Sequence, residues 1–193
     1  MNKSLMLAAA GVLSISFAGT AMAKMEHHGM GHGKTVMVGG AAMYPNKNII
    51  QNAVNSKDHT TLVAAVKAAG LVDTLKTPGP FTVFAPTNAA FDALPAGTVA
   101  TLLKPENKAT LTKILTAHVV PGKLDAAALS QRMMAGNGRA NLTTVSGDAL
   151  VVTASGSNIM VTDEKGGTAM VSIANVYQSN GVIHVVNKVL VPN

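Results

Sequence analysis

Hydrophobic positions in the first half of the chain follow a helical period. Apolar residues recur at helical spacing over 62–69, Asp58 precedes them as a potential N-cap, and Gly70 ends the pattern. The same spacing predicts helices over Glu106–Val119 and over Asp125–Met134. This half of the chain is therefore predicted to be mainly helical, with one strand inserted between its helices.

The second half follows the pattern of strands. Short runs rich in β-branched residues are separated by polar turns with glycine, and Asn180 followed by Gly181 is the strongest hairpin signal among them. Evenly spaced strands with turns between them favour a compact sheet or sandwich on which the helices pack, an α+β fold. The predicted strands are Phe81–Ala85, Ala149–Thr153, Ile159–Thr162, Ala169–Ile173 and Val182–Val191.

The first 23 residues have the features of an export signal. Lys3 supplies the positive region, Leu5–Phe17 is apolar, and Ala21 and Ala23 form the small-x-small cleavage pattern. The apolar run is shorter than the roughly 20 residues that span a bilayer, and no later stretch approaches that length. The sequence predicts a signal peptide over 1–23, no transmembrane segment in the mature chain, and a secreted or periplasmic location.

Composition narrows the range of functions. The chain has no cysteine, which excludes disulfides and thiol catalysis. Loss of Lys3 with the signal leaves 14 basic and 9 acidic residues, and the resulting charge of +5 is scattered. With no tryptophan and two tyrosines, a nucleic-acid surface is not indicated.

The sequence contains no G-x-S-x-G or H-E-x-x-H motif, and Asp163 with Glu164 is interpreted as a solvated pair. An enzyme is not predicted.

A segment rich in glycine, methionine and histidine follows the signal. Residues 24–44 are interpreted as a flexible tail before a domain over 45–193. Imidazole suits copper, zinc and nickel, and thioether sulfur favours Cu(I). Copper binding by the tail is therefore an alternative to its interpretation as a solvated linker. The candidate ligands are Met25, His27, His28, Met30 and His32.

Three separate stretches carry a family resemblance. They are Thr82–Phe91 (TVFAPTNAAF), Ala117–Gly122 (AHVVPG) and Asn180–Pro192 (NGVIHVVNKVLVP). Together they resemble the motifs of a fasciclin (FAS1) domain, over about Tyr44–Pro192. The resemblance implies a β-wedge of about seven strands with flanking helices. It also implies a secreted, non-catalytic adhesion role, in which the domain binds a cell-surface or matrix protein or polysaccharide.

Within these motifs a mainly structural role is predicted. His118 lies on the apolar face of the predicted helix, and His184 lies on a strand that is apolar on both faces, so both are expected in the core. Asn187, Lys188 and Pro192 are expected at the surface. Some fasciclin domains place a tyrosine linked to integrin binding before the motif histidine. Ala117 occupies that position here, so no integrin role is implied. The motif residues are Phe84, Pro86, Thr87, Asn88, Phe91, His118, Pro121, Gly122, His184, Asn187 and Pro192.

Overall fold

The computed structural model describes residues 34–192, and its helices lie mainly in the first half of that range. Helix α2 ends at Gly70, whose φ of 74° is left-handed and suits glycine. Asp125 caps α7 by accepting a hydrogen bond from the Ala128 N–H at 2.9 Å. The helices are α1 Ile49–Ala53, α2 Thr60–Ala69, α3 Val72–Lys76, α4 Asn88–Asp92, α5 Thr98–Leu102, α6 Lys108–Thr116 and α7 Ala126–Ala135.

Two of the predicted helices differ in detail from the structure. Asp58 does not cap α2, because it lies in a 3₁₀ turn at Lys57–His59 that leads directly into the helix. Helix α6 ends at Thr116, earlier than predicted, because the chain from Val119 onwards joins the sheet. Local periodicity therefore located both helices, whereas neighbouring elements determined where each helix begins or ends.

The strands form a two-stranded hairpin and a seven-stranded sheet. The order in the larger sheet is β4-β3-β9-β8-β7-β6-β5, and only β3 and β9 pair in parallel. The Val145 N–H donates to the Val119 carbonyl at 2.8 Å, so the two ends of the sheet approach each other and nearly close it. The strands are β1 Val36–Val38, β2 Ala41–Met43, β3 Phe81–Pro86, β4 Val119–Pro121, β5 Arg139–Thr143, β6 Ala149–Ser155, β7 Asn158–Thr162, β8 Thr168–Gln178 and β9 Gly181–Val186. These observations confirm the predicted α+β fold with about seven strands.

Strands β3 and β9 separate two hydrophobic cores. Val83 and Ile183 belong to a core shared with the helices α1–α6, which we call the helical core. Phe84 and Val186 belong to a second core, between the curled sheet and α7, which we call the sheet core. All six residues of β9 are buried, as predicted for a strand that is apolar on both faces.

The last two strands differ from their predicted bounds. Strand β8 continues to Gln178, and β9 ends at Val186, before Asn187 and Lys188, although the predicted strand continued to Val191. The β8–β9 hairpin uses Ser179 and Asn180 as its loop, so Gly181 lies inside β9. A Cβ atom at Gly181 would lie 2.1 Å from the Phe81 carbonyl oxygen, so this glycine permits the close approach of β3.

The domain begins earlier than the sequence indicated. Residues 36–43, predicted to belong to the flexible tail, form the β1–β2 hairpin. Val38 and Met43 are buried in the helical core, with 4% and 3% of their surface exposed. The predicted signal peptide and residues 24–33 of the tail lie outside the described residues. Over residues 34–192, none of the helices has the length and apolar character needed to cross a membrane.

Candidate functional site

The three sequence motifs meet on adjacent strands. They contribute β3, β4 and β9, which are neighbours in the order β4-β3-β9. The Phe84 N–H donates to the His118 carbonyl at 2.9 Å, and Phe84 lies opposite His184 in the parallel β3–β9 register. Motifs almost 100 residues apart along the chain therefore form one continuous centre, between the two cores.

His118 connects the end of α6 to the C-terminal segment. Its ring is buried, with Nδ1 2.8 Å from the Ile114 carbonyl, and the Leu190 N–H donates to Nε2 at 2.9 Å. A nitrogen that accepts a hydrogen bond carries no proton, so the ring is neutral with its proton on Nδ1. Burial lowers the pKa of His118 to about 4, against the opposing effects of the Ile114 carbonyl and the Asp163 charge.

His184 is held inside the sheet core. Its Nε2 lies 2.8 Å from the Leu124 carbonyl, to which it donates, and its ring stacks on Phe84 with centroids 5.7 Å apart. Its Nδ1 has no hydrogen-bond partner among the described residues. Burial lowers the pKa of His184, and the Leu124 carbonyl and the charge of Asp125 oppose that effect. His184 is therefore a neutral packing residue, without access to solvent.

The first motif also joins β3 to α2. Thr87 caps α4, its side chain accepting from the Ala90 N–H at 3.3 Å. Asn88 Oδ1 accepts from the Thr61 N–H at 3.0 Å, and its Nδ2 donates to the Lys57 carbonyl at 2.8 Å. Thr87 and Asn88 therefore hold helix ends in place.

Phe91→Ala is expected to lower the free energy of unfolding by about 3–5 kcal/mol, because Phe91 is 5% exposed in the helical core and alanine would leave a cavity. Urea denaturation monitored by circular dichroism measures the change. Asp92→Ala is the matched control, since Asp92 is exposed and its replacement should change stability by less than about 0.5 kcal/mol. Equal effects of the two substitutions would contradict a packing role for Phe91.

The prolines and the glycine of the first two motifs lie at strand ends. Pro86 is the buried last residue of β3, and Pro121 is the exposed last residue of β4. Gly122 has a φ of 101°, and its N–H donates to the Pro80 carbonyl at 2.9 Å. Glycine suits this turn because other residues rarely adopt that φ.

The residues of the third motif have different surroundings from one another. Asn187 is exposed, as predicted, but its Oδ1 accepts from the Met170 N–H at 2.8 Å and its own N–H donates to the Met170 carbonyl. These two bonds hold the chain against β8. Pro192 is buried, so its predicted surface position is wrong. Ala117, which precedes His118, is 2% exposed.

Asn180 carries contacts that sequence reasoning missed. Its Oδ1 accepts from the Ile49 N–H at 3.0 Å, and its Nδ2 donates to the carbonyls of Leu75 at 2.7 Å and Thr77 at 2.9 Å. One buried amide therefore connects the β8–β9 loop to α1 and to the end of α3. The only sequence signal was that asparagine precedes Gly181, which indicates a turn but no distant partners.

Asp163 is also more buried than predicted. It is 7% exposed, its Oδ1 accepts from the Gly167 N–H at 2.6 Å, and its Oδ2 accepts from the Val191 N–H at 2.9 Å. The interpretation of Asp163 and Glu164 as a solvated pair was therefore wrong for Asp163. The carboxylate closes the β7–β8 turn and holds the C-terminal segment beside His118.

The five candidate copper ligands of the tail lie outside the described residues. Within residues 34–192, no group of three or more histidine, aspartate or glutamate side chains is arranged to hold a metal ion. The motif histidines His118 and His184 are buried and neutral, and both make hydrogen bonds inside the domain. The motif centre therefore holds the fold together and presents neither imidazole to solvent.

Several exposed side chains occur close together in sequence where α7 leads into β5, the last strand in the order of the sheet. Both arginines of the chain, Arg132 and Arg139, are exposed there. Met134 is 79% exposed, more than any other large hydrophobic side chain of the described residues, and Asn141 is also exposed. We call Arg132, Met134, Arg139 and Asn141 the α7–β5 surface.

Comparison with known proteins identifies the family. The Fasciclin domain family model matches residues 57–192. The chain belongs to the fasciclin domain family. The family assignment inferred from the three motifs is therefore confirmed, and their convergence on neighbouring strands gives its structural basis.

Similar proteins occur in bacteria and animals. The chain is 46% identical to protein sll1483 of Synechocystis over 172 residues, covering 89% of this chain and 86% of that protein. It is 37% identical to immunogenic protein MPB70 of Mycobacterium bovis, covering 72% and 66% of the two chains. A solved FAS1 domain pair from the insect cell adhesion molecule fasciclin I superposes with a TM-score of 0.68 at 17% identity. The match covers 76% of this chain and about half, 51%, of that one, and it shows the fold.

Proposed function

We propose that this fasciclin domain protein is a secreted or periplasmic, non-catalytic interaction domain that attaches to a cell-surface or matrix partner. The observation that carries the proposal is the chain's membership of the fasciclin family. A solved FAS1 domain pair with a similar fold comes from an insect cell adhesion molecule. The predicted export signal supports a location outside the cytoplasm. The use of His118 and His184 in internal contacts supports binding without turnover.

The α7–β5 surface is the part of the domain that we assign to the partner. Arginine and methionine are enriched at protein interfaces, and arginine is a frequent hot-spot residue. Here Arg132 and Met134 are exposed on α7, and Arg139 is exposed on β5, the last strand in the order of the sheet. This combination favours a protein partner with an apolar contact area and acidic groups at its rim.

A triple variant tests the surface. Arg132→Glu, Met134→Glu and Arg139→Glu are combined in the chain that begins at Lys24, and retention on intact cells and cell envelopes of the source organism is measured. Retention is expected to fall about tenfold or more, because the arginine and methionine contacts are lost and the new glutamates repel the acidic groups of the partner. The matched control combines Val54→Glu, Lys67→Glu and Lys165→Glu, which changes the net charge equally at exposed positions elsewhere.

The control variant is expected to bind as the unchanged chain does. An equal loss in both variants would mean that net charge alone drives attachment, which would overturn the assignment of the α7–β5 surface.

Envelopes treated with protease distinguish the partner class. Retention that survives protease but is lost after glycosidase treatment would identify a polysaccharide instead of a protein. Turnover of a substrate by the purified chain would contradict the non-catalytic role.

A second function, copper handling, is proposed from the composition of the tail. Three histidines and two methionines occur within the eight residues 25–32. Imidazole suits Cu(II), whereas thioether sulfur favours Cu(I). Replacing His27, His28 and His32 by asparagine is expected to remove Cu(II) binding from the chain that begins at Lys24. Replacing Met25 and Met30 by leucine is expected to weaken Cu(I) binding selectively.

Calorimetric titration of each copper ion into both tail variants and the unchanged chain measures these effects. A chain that begins at Lys34 is the control for any binding by the domain itself. If it binds both ions as tightly as the longer chain, the tail has no part in copper binding.

A further inference from the structure

The helical core contains a cavity of about 80 Å³. Its wall is formed mainly by α1, α2 and α3 on one side and by β3 and β9 on the other, with further residues from β1, β2, α6, β4 and β8, and it is almost wholly apolar. Protein interiors are close-packed, with few voids larger than a water molecule. An apolar cavity of this size is therefore a distinct feature of the domain, and water in it would find few hydrogen-bond partners.

One titratable side chain in the wall has an unused polar atom. His59 is 3% exposed, and its Nδ1 lies 2.9 Å from Ser56 Oγ. Its Nε2 makes no hydrogen bond among the described residues. The Ala85 carbonyl is close enough to favour the charged ring, but it does not reach hydrogen-bond geometry. A buried polar atom without a partner is costly, so a ligand that supplies one gains affinity.

The charge of the cavity restricts what it can hold. Burial lowers the pKa of His59, against the opposing effects of the Ala85 carbonyl and Asp58, so the ring is neutral at pH 7. Among residues 34–192, no lysine, arginine, aspartate or glutamate belongs to the wall. An ionised ligand would lose its hydration without gaining a counter-charge. The cavity therefore suits an uncharged molecule.

The wall also extends to the surface of the domain. Thr74 and Val145 line the cavity and are exposed, and Val63 and Thr116 line it and are partly buried. The cavity wall therefore reaches the surface of the domain, where a small molecule can first contact it.

We propose that this cavity binds a small uncharged organic molecule with an apolar body and one hydrogen-bonding group, which pairs with His59 Nε2. Its volume is about half of the roughly 150 Å³ of an engineered cavity that binds benzene and xenon. A molecule of a few non-hydrogen atoms, such as a short alcohol or ketone, matches this size. The apolar walls supply most of the affinity and His59 selects the polar group.

Two probes, xenon and 2-propanol, separate the apolar and polar contributions. Each is added to the chain that begins at Lys24, labelled for methyl and imidazole NMR. Xenon is expected to shift the methyl signals of the wall residues Val66, Leu75 and Ile183. 2-Propanol is expected to shift the same signals and also the His59 Nε2 resonance. His59→Phe should leave xenon binding in place and weaken 2-propanol binding about tenfold.

Filling the cavity is the decisive control. Ala53 lies in the wall, so Ala53→Leu is expected to abolish the shifts caused by both probes. Ala127→Leu places the same side chain at an exposed position on α7 and should change neither. The proposal is overturned if the unchanged chain shows no shifts at the wall, or if Ala53→Leu leaves them intact. Equal 2-propanol affinity in His59→Phe would overturn the role of His59. Dispersed methyl spectra establish that each variant is folded.

Discussion

Asn180→Ala is expected to lower the free energy of unfolding by about 3–5 kcal/mol. The substitution removes three hydrogen bonds and leaves the Ile49 N–H and the carbonyls of Leu75 and Thr77 without their partner. Asn180 is 4% exposed, so water cannot readily replace the lost amide. Urea denaturation monitored by circular dichroism at pH 7 measures the loss.

Two further variants identify the cause. Asn180→Asp keeps an oxygen for the Ile49 N–H but places a second oxygen against two carbonyls, so it should destabilise the domain at least as much as alanine does. Asn158→Ala removes an exposed asparagine and should cost less than about 0.5 kcal/mol. If the aspartate variant were as stable as the unchanged chain, donation to Leu75 and Thr77 would not matter.

Acidification is expected to destabilise the domain through His118, by about 3 kcal/mol between pH 7 and pH 4. The pKa of His118 is about 4 in the folded chain and about 6.5 when the chain unfolds. Above pH 6.5 both states are neutral and the full stability is present. As the pH falls from 6.5 towards 4, only the unfolded chain takes up the proton, so stability decreases. The lowered pKa values of His59 and His184 act in the same direction.

Denaturant unfolding at half-unit pH steps measures this dependence. His118→Gln retains one donor for the Ile114 carbonyl and one acceptor for the Leu190 N–H but does not titrate. Its stability should therefore vary less with pH than that of the unchanged chain, over the interval from 6.5 to 4. If both proteins gave the same slope, groups other than His118, such as His59, His184 or carboxylates, would control the acid sensitivity.

The α7–β5 surface and the cavity lie in different parts of the domain. The α7–β5 surface adjoins the sheet core, whereas most buried apolar residues of the cavity wall belong to the helical core and only Phe84 of the described wall residues belongs to the sheet core. Filling the cavity at Ala53 changes no residue of the α7–β5 surface. Failure of the cavity experiment therefore leaves the attachment experiment unaffected, and failure of attachment leaves the cavity experiment unaffected.

The motif residues illustrate how far sequence reasoning extends. Burial of His184 followed from a strand that is apolar on both faces, because period-two alternation reports the surroundings of each face. The position of His118 was predicted from helical spacing, but the residue lies after α6, where it contacts Leu190. Its expected burial was right, although the element that holds it was not.

The sequence by itself determined features that are local or carried by the three motifs. They are the helix α2 with its end at Gly70, the helix α7, the strand β3 and the fasciclin family. Periodicity and capping act between residues a few positions apart, so they can be read along the chain. Only the tertiary structure decided the roles of Asn180, Asp163 and His59. Their hydrogen-bond partners or surroundings come from segments that are distant along the chain, and only folding brings these segments together.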